Sequence, residues 1–528
     1  MASSSTPGST RIESSSRCLT ASCFDLPIDN WINDVAATFL SVLLLALAAC
    51  GGGEDAPPPP TGPAPIGTFA YVMNDCEAAP GQGQGRIHQA LWIRQGERDP
   101  VQIAEFTLAT FPRSLCLQYS QGRWGGLSVL TGGFQRLGVT LDGSTVVFEV
   151  TDQFSLYRGF VPAQQKGFWV VRADGSGLHR IADASREASF AADWNCILFG
   201  GGNCVPNIDI SLSPDFSPDG RQLVFTDRGP DTSGTQAAQV FTLDLTTGVR
   251  TQLTFLPPLP RCPEPVPPDA ACVPVGLLPI KVPRFLDSQT VAFYRREGVN
   301  PLIPYTVDIE TKELKPVQVV TIPGGGIVPV FQITGEPIGF TVSLPGSVAV
   351  NGGGIVSEAF AFDGKNLVQL TNFGRVDTGF TRTTLDGTRV LFEASADPMG
   401  TNPPDVCEYF SIDPLGGDLR QLTHFGANIT AACGCGGFCV CPGELCAPPI
   451  CNIGSSLGGE VDDGTGSLVF SSSCDPFGTN PYGEQEFAMR PDGTGLHQLT
   501  SARGLQEGAD GSLAVELPGP WAIARRLR

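Results

Sequence analysis

Six cysteines crowd into one short stretch of the chain, CGCGGFCVCPGELCAPPIC. They are Cys433, Cys435, Cys439, Cys441, Cys446 and Cys451. Thiolates are good zinc ligands, but this stretch holds neither a C-x-x-C pair of the zinc-finger type nor a histidine. The chemistry that it favours is therefore disulfide formation, and a metal site is the alternative.

Another cysteine stands where lipid could be attached. Residues 35–49 read VAATFLSVLLLALAA, fifteen residues without a charge, which is short for a membrane span and typical of a signal-peptide core. The run ends in Leu47-Ala48-Ala49-Cys50, which resembles the lipobox of bacterial lipoproteins. There, cleavage precedes the cysteine and its sulfur carries the lipid. A buried core helix is the alternative interpretation of the apolar run.

Residues 1–34 depart from an ordinary signal peptide, because they are long, rich in serine and carry Asp25, Asp29 and Asp34. A translation start nearer Val35 would remove this disagreement. We expect a leader over 1–49 and a Gly- and Pro-rich tether over 50–65 that reaches at most ~45 Å at ~3 Å per residue. The prediction is a protein of the bacterial cell envelope, anchored through lipid on Cys50 at the periplasmic face or the cell surface.

The other cysteines also favour disulfides. Of the 17 cysteines, Cys18 and Cys23 precede the predicted cleavage point and Cys50 is the predicted lipid site. The fourteen that remain are an even number, which indicates disulfides in an exported protein. The candidate pairs are Cys196 with Cys204, Cys262 with Cys272, and Cys76 with Cys116. Cys407 and Cys474 lie near two related turns, DPMGTN and DPFGTN, and either they pair with each other or one of them bonds to a cysteine of the Cys-rich stretch.

Motifs that would support catalysis lie in unsuitable contexts. Gly454 to Gly458 fits the nucleophile-elbow pattern G-x-S-x-G. A true elbow joins a strand to a helix, whereas this segment precedes a predicted turn between two strands. His179 and His497 occupy the same position of a repeat, so we interpret them as parts of that repeat. The turn at 462–464 lacks the ligand spacing of an EF-hand, and no nucleotide-binding fingerprint is found. We expect no catalytic residue, metal or cofactor.

The composition indicates a globular protein with many turns. The chain has 528 residues, of which 64 are Gly and 45 are Pro, while 41% are apolar. Its formal charge is −20, from 53 acidic and 33 basic residues. Because such a surface repels nucleic acid and anionic headgroups, we exclude a nucleic-acid binder, and membrane contact is expected through the lipid alone.

Seven segments share one pattern, in which a strand, a polar turn and a short second strand follow each other. They lie at 88–106, 166–184, 238–255, 303–322, 357–373, 407–425 and 485–502, and Gln-Leu-Thr recurs at 252–254, 369–371, 421–423 and 498–500. Upstream of most copies, a tight turn leads into an apolar strand, as in LDGSTVVF, SPDGRQLVF, LDGTRVLF and DDGTGSLVF.

Each repeat is therefore a small antiparallel sheet, and seven such sheets can bury their faces only against one another. The prediction is an all-β fold, a β-propeller of seven four-stranded blades over residues 66–520, with a Cys-rich insertion at 426–456 and a tail at 521–528. The stretch SLAVELPGPWAI near the C-terminus is the candidate strand that closes the ring. DPMGTN (397–402) and DPFGTN (475–480) recur 78 residues apart because the repeat recurs.

At SPDGRQLVF and PDGTGLHQLT the chain resembles the WD-like repeats of TolB-type β-propellers, and similar repeats occur in prolyl-oligopeptidase-type peptidases. The resemblance covers roughly residues 66–516. It implies the propeller fold, but the α/β domain of TolB and the hydrolase domain of the peptidases have no counterpart in this sequence.

Three classes of function follow from these observations. The first is a lipid-anchored propeller that binds a protein or glycan of the envelope as a scaffold, because loops on propeller rims carry function. The second is an enzyme that acts on polysaccharide or peptide through carboxylates in the channel. The third is a redox or metal protein built on the Cys-rich stretch. The insertion at 426–456 is a candidate recognition element, and a tolerated surface insertion is its alternative.

Overall fold

Short antiparallel strands account for nearly all regular structure in the computed structural model. The model describes residues 62–81, 83–108, 110–112, 132–152, 161–186, 214–260, 279–296, 302–321, 327–329, 337–344, 346–347, 349, 355–375, 378–402, 406–425, 431–432, 450–451, 453–460, 465–472, 474–479 and 485–524. Along these stretches no helix is long and apolar enough to cross a membrane.

Apart from two short two-stranded pairs, the described strands form seven sheets, which we call blades 1 to 7. In chain order, the first four strands are β1 (Thr68–Ala78), β2 (Gln84–Gln95), β3 (Val101–Thr107) and β4 (Phe111–Pro112), all in blade 1. Blade 2 contains β5 (Gly133–Val139), β6 (Thr145–Thr151), a 3-10 turn (Ala163–Gln165), β7 (Gly167–Arg172) and β8 (His179–Ala182). Blade 3 contains β9 (Asp215–Phe216), β10 (Gln222–Pro230), β11 (Gln236–Asp244) and β12 (Arg250–Gln252).

The second half of the chain repeats this order. Blade 4 contains β13 (Ile280–Phe285), β14 (Thr290–Arg296), β15 (Leu302–Asp308) and β16 (Leu314–Pro316), and a separate pair follows, β17 (Val319–Thr321) and β18 (Ile327–Pro329). Blade 5 contains β19 (Ile338–Ser343), β20 (Ser357–Phe362) and β21 (Leu367–Gln369). Blade 6 contains β22 (Gly379–Thr383), β23 (Val390–Ala394), β24 (Glu408–Ile412) and β25 (Arg420–Gln421), followed by the parallel pair β26 (Ala431–Ala432) and β27 (Ile450–Cys451). Blade 7 contains β28 (Ile453–Glu460), β29 (Leu468–Ser472), β30 (Gln485–Met489) and β31 (His497–Gln498), and β32 (Gly504–Glu507) and β33 (Leu513–Ile523) return to blade 1.

The predicted all-β propeller with seven blades is confirmed, and each of the seven repeated segments supplies the third and fourth strands of a blade. Five of the blades have the predicted four strands. Blade 1 has six strands, because β2 is 12 residues long and pairs with β4 at one end, and β33 brings β32 into the sheet as its neighbour. The described part of blade 5 has three strands.

The ring closes through its two ends. Strand β33 pairs antiparallel with β1, from Phe69 opposite Ile523 to Ala78 opposite Leu513. The candidate closing strand is thus confirmed, and closure removes the open edge that β1 would otherwise expose. The strand continues to Ile523, and Ala524 bridges to blade 2, so residues 521–524 belong to the propeller and not to the predicted tail.

The antiparallel order gives the ring two faces. Turns between first and second strands, and between third and fourth strands, lie on one face, which we call the turn face. Connections between second and third strands, and those between blades, lie on the opposite loop face. Residues just before β1 contact the turn face of blade 7, where Ala64 N–H donates to Gly495 O (2.8 Å) and Ser467 Oγ to Pro65 O (2.5 Å). The end of the predicted tether is therefore packed against the propeller.

The core lies in the seams between blades. In blades 6 and 7 the second strands β23 and β29 are buried along their whole length, as an apolar strand with a sheet on each side must be. Tyr409 of blade 6 meets Phe470 of blade 7 with ring centroids 4.9 Å apart, and Phe470 stacks on Phe487 at 5.8 Å. Each fully buried aromatic side chain contributes about 1.5–3 kcal/mol through the hydrophobic effect.

Candidate functional site

The Gln-Leu-Thr triplets at the ends of the fourth strands form hydrogen bonds with the third strand of the same blade, in an arrangement that we call the QLT clasp. In blade 3, Thr254 Oγ1 donates to Gln239 Oε1 (2.9 Å) and accepts from Val240 N–H (2.9 Å), while Gln252 Nε2 donates to Thr254 O (2.7 Å). The clasp joins the third and fourth strands. It recurs between Thr371 and Glu358, Thr423 and Glu408, and Thr500 and Gln485. The buried carboxylates in blades 5 and 6 are therefore structural acceptors.

Many acidic residues of the turn face also serve the fold. The backbone N–H of Asn366 is the main cause that lowers the pKa of Asp363 to about 2. Hydrogen bonds lower the pKa of three further turn aspartates, with Ser176 acting on Asp174, Thr247 on Asp244 and Thr311 on Asp308. A carboxylate that accepts several N–H bonds is favoured in its charged form. These aspartates, which contribute to the negative net charge, therefore stabilise the turns in which they lie.

The junction of blades 2 and 3 does not follow the repeat. Arg136 on β5 and Glu149 on β6 are 1% and 0% exposed, and Arg136 Nη1 donates to Glu149 Oε2 (2.6 Å). Arg136 Nη2 crosses to blade 3 and donates to Thr226 O (2.6 Å). Its Nη1 also donates to Ser185 Oγ, just after β8. A buried ion pair thus connects the two blades.

A second buried carboxylate lies beside this pair. Asp227 on β10 accepts from Arg250 Nη1 (3.0 Å) and from the backbone N–H of Arg186 (2.9 Å), and the Arg186 Nε lies 3.9 Å from Asp227 Oδ2. Burial raises the pKa of the Asp227 carboxyl, and the Arg136 and Arg250 guanidinium groups counteract that rise. The Asp227 carboxylate thus holds the Arg186 and Arg250 side chains at the edge of the junction.

Aromatic rings fix the orientation of the arginines. The Arg250 Cζ lies 5.1 Å from the ring centroid of Phe168, and the Arg186 Cζ lies 5.2 Å from that of Phe241. Guanidinium groups within about 6 Å of a ring face are attracted by its quadrupole. Because a stacked guanidinium has little freedom, its remaining N–H groups are pre-oriented for a ligand.

These side chains border an open cleft of about 660 Å³, lined among others by Arg180, Asp183, Arg186 and Arg250. The side chains of Arg180 and Arg186 are 40% and 49% exposed, and that of Arg250 is 18% exposed. The three arginines outnumber the two carboxylates beside them, Asp183 and Asp227, so the described wall of the cleft is positive in a chain of net charge −20. Planar guanidinium groups suit bidentate binding of carboxylate or phosphate. We call this site the arginine cleft.

No sequence motif singled out the arginine cleft, although one signal was present. The second strands read VVFEV, LVFTD, VLFEA and LVFSS, and Asp227 stands where the other three carry Val150, Ala394 and Ser472. A charged residue at a position that is otherwise small or apolar, in a strand predicted to be buried, indicates a specific partner. The partners Arg136 and Arg186 could not be recognised without the strand register.

His88, His179, His497 and the G-x-S-x-G motif all lie within strands of the blades. His179 Nδ1 lies 2.7 Å from Gly177 O, and His497 Nδ1 lies 3.0 Å from Gly495 O, so both follow the repeat. Ser455 lies within β28 and therefore not in a strand-to-helix elbow. His88 contacts Thr107 Oγ1 at 3.1 Å in blade 1.

The predicted lipid and disulfide sites fall largely outside the described residues. Those outside are Cys50, Cys116, Cys196, Cys204, Cys262, Cys272, Cys433, Cys435, Cys439, Cys441 and Cys446. Cys76, Cys407 and Cys474 are buried, and all of the pairings stay predictions. Cys451 lies in β27, which joins the two ends of the Cys-rich insertion at the loop face. Within the described ranges, no three His, Cys, Asp or Glu residues form a metal-binding group.

No protein-family model and no curated protein sequence matches this chain. Among solved structures it is similar to a prolyl endopeptidase, with 11% identity over 81% of this chain and 50% of the other, and a TM-score of 0.39. The chain thus spans about half the length of that peptidase. It is also similar to TolB from Acinetobacter baumannii (12% identity, 86% and 82% covered, TM-score 0.31) and to an oligogalacturonate lyase from Vibrio parahaemolyticus (9% identity, 78% and 96% covered, TM-score 0.37). Likenesses at these values identify neither a family nor a function.

Proposed function

We propose that this protein is an exported, lipid-anchored propeller that binds an acidic partner of the cell envelope through the arginine cleft. It acts as a scaffold in this role. The observation that carries the proposal is the set of three arginines around an open cleft, two of them stacked on buried rings and held by one buried carboxylate. The chemical class of the ligand is a carboxylate or phosphate group on a protein or a glycan.

The arrangement resembles a binding site more than an ordinary blade seam. A seam needs apolar contact, and replacing a buried ion pair by apolar residues is often neutral or stabilising for the fold. Arg186 and Arg180 also keep about half of their side-chain surface open to solvent. Cations that are oriented but accessible fit recognition of an anion, and the loop-rich edge of a propeller is a common place for it.

Binding can be measured by calorimetric titration of the full chain with a hexaglutamate peptide, with hexalysine as the charge control. Changing Arg186→Gln should weaken hexaglutamate binding about tenfold, a loss of ~1.4 kcal/mol. Arg221→Gln is the matched control, because Arg221 is 78% exposed on the turn face and lies 3.9 Å from Asp219. Equal losses in both variants would mean that the acidic peptide follows general charge and not the cleft.

The anchor rests on the sequence around Cys50 and is tested separately. Mass spectrometry of the membrane fraction should find a mature N-terminus at a lipid-modified Cys50, and Cys50→Ala should release or mislocalise the protein. An uncleaved peptide that spans residues 40–60 in that fraction would contradict the proposed anchor.

A further inference from the structure

The seam that closes the ring contains a carboxyl group on each of its two strands. Asp75 on β1 lies directly opposite Glu516 of the closing strand β33, and directly opposite His88 of β2 on its other side. Side chains that are directly opposite on antiparallel strands share one face of the sheet, with Cβ atoms about 4.5–5.5 Å apart. The closing pair of strands therefore places two carboxyl groups side by side, which is destabilising when both are charged.

The neighbouring positions on this face of β1 are matched differently. Phe69 and Tyr71 pack in an apolar cluster that includes side chains of blade 7. Glu77, two residues beyond Asp75, lies opposite Arg86 of β2, so that this acidic side chain faces a cation. Asp75 is thus the position on this face where the closing strand offers a like charge.

The basic side chains near Asp75 contact other carboxylates. Arg503 donates to Glu516 Oε2 both from its Nε (2.6 Å) and from its backbone N–H (3.1 Å). His88 Nδ1 lies 3.4 Å from Glu105 Oε1 on β3. Asp75 is half-buried, and within the described part of the chain no hydrogen-bond partner reaches its buried Oδ1. An oxygen that is removed from water without a donor disfavours the charged form of its carboxyl group.

The electrostatics of the seam favour a proton on Asp75. Burial raises the pKa of the Asp75 carboxyl, and Glu77 and Glu516 raise it further, whereas Arg503 and His88 act in the opposite direction. The folded protein therefore binds this proton more tightly than the unfolded chain does. The resulting stabilisation is complete below the ordinary pKa range of aspartate, and it is lost as the pH rises through the raised pKa of Asp75.

We propose that Asp75 is a pH-sensitive switch of ring closure, in which a proton taken up from water strengthens the pairing of β1 with β33 and its release weakens that pairing. Uptake of the proton removes one of the two facing charges and leaves a neutral group in the half-buried position. This inference goes beyond the function proposed above, since it concerns the stability of blade 1 and not the arginine cleft.

The test compares the full native chain with Asp75→Asn, whose amide is neutral at every pH, by urea denaturation. At about pH 8 the unfolding equilibrium constant of the variant should be about threefold or more below that of the native chain, and this advantage should shrink steadily toward about pH 4. Asp99→Asn is the matched control. Asp99 lies exposed between β2 and β3 of the same blade, and its replacement should have the same effect at every pH.

Hydrogen–deuterium exchange at about pH 8 shows where the effect arises. Residues 513–517 of β33 should be better protected in Asp75→Asn than in the native chain, with a smaller change in β10 and β11 of blade 3. An effect of Asp75→Asn that is the same at every pH would overturn the proposal, because a merely structural role does not titrate. A native chain that gains stability over the variant as the pH rises would also overturn it, as would unchanged exchange at 513–517.

Discussion

The QLT clasps and the junction of blades 2 and 3 are both buried polar networks, but they are built differently. Each clasp uses one threonine hydroxyl and one Gln or Glu, and the described structure repeats it in blades 3, 5, 6 and 7. The junction concentrates Arg136, Glu149 and Asp227 within a single seam. Polar residues that recur in every such blade stabilise the blade, whereas a buried polar group found at one junction indicates a function other than stability.

The two networks also differ in the cost of desolvation. The Gln clasps of blades 3 and 7 exchange hydrogen bonds with water for hydrogen bonds to threonine and backbone N–H, with a net gain of about 1 kcal/mol for each bond, whereas the clasps of blades 5 and 6 each bury one Glu carboxylate. The junction removes several full charges from water, which costs several kcal/mol for each ion before pairing offsets it. A fold that needed stability alone would use clasps. The charged junction therefore supports a binding role for the exposed arginines beside it.

The largest expected effect follows from opening the ring. Removal of residues 510–528 deletes β33, exposes the edge of β1 and removes Val515, which is fully buried. Both networks should then become less stable, because each depends on a closed ring. Circular dichroism should show a much lower melting temperature or no cooperative transition. Removal of residues 525–528 alone serves as the control and should change little, and unchanged melting after the longer truncation would contradict closure by β33.

The next largest effect is expected from breaking the buried ion pair at the junction of blades 2 and 3, which the clasps do not contain. Arg136→Met leaves Glu149 buried without its cation, which should lower the free energy of unfolding by about 3–5 kcal/mol. The double variant Arg136→Met and Glu149→Leu should recover most of this loss, since no unpaired charge stays buried. Urea denaturation of the three proteins measures both values. A double variant that is less stable than the single variant would show that the ion pair itself stabilises the seam.

Removal of a hydroxyl from a clasp should lower the free energy of unfolding less than removal of Arg136 from the junction. Thr423→Val keeps the shape of the side chain but leaves Tyr409 N–H and a Glu408 oxygen without their hydroxyl partner. The expected loss is about 2–3 kcal/mol, measured by the same denaturation. Thr246→Val, at an exposed turn position, is the control and should cost less than about 0.5 kcal/mol. A loss in Thr423→Val as small as in this control would mean that the clasp is not a stabilising unit.

These differences explain how far the sequence could predict the structure. The Asp-Gly turns, the apolar second strands and the Gln-Leu-Thr triplets are local patterns, so they predicted seven blades and the closing strand over Leu513–Ile523. The arginine cleft depends on long-range register, since Arg136 meets Thr226 of the next blade, 90 residues away. The extra strands β4 and β32 are short and depend on the long strands β2 and β33, with which they pair. Such features follow from tertiary packing and have no period in the sequence.

The smallest effect compares two glutamates in equivalent roles as buried acceptors. Glu408→Gln should change stability by less than about 1 kcal/mol, because Gln239 and Gln485 occupy the same clasp position and donate their Nε2 to Leu256 O and Ala502 O. Glu149→Gln should cost more, since it leaves Arg136 without a counter-charge. The ratio of the two losses is the measurement. Similar losses would show that the two networks do not differ in kind.

The arginine cleft is tested most directly by hydrogen–deuterium exchange of the full chain with and without hexaglutamate. We expect new protection at 180–186 and 248–250, on both sides of the cleft, and unchanged exchange at the four clasps. The Arg186→Gln variant should lose that protection. Protection that instead appears at 217–221, around the control residue Arg221, or at 397–401, or that persists in the variant, would contradict anion binding at the junction of blades 2 and 3.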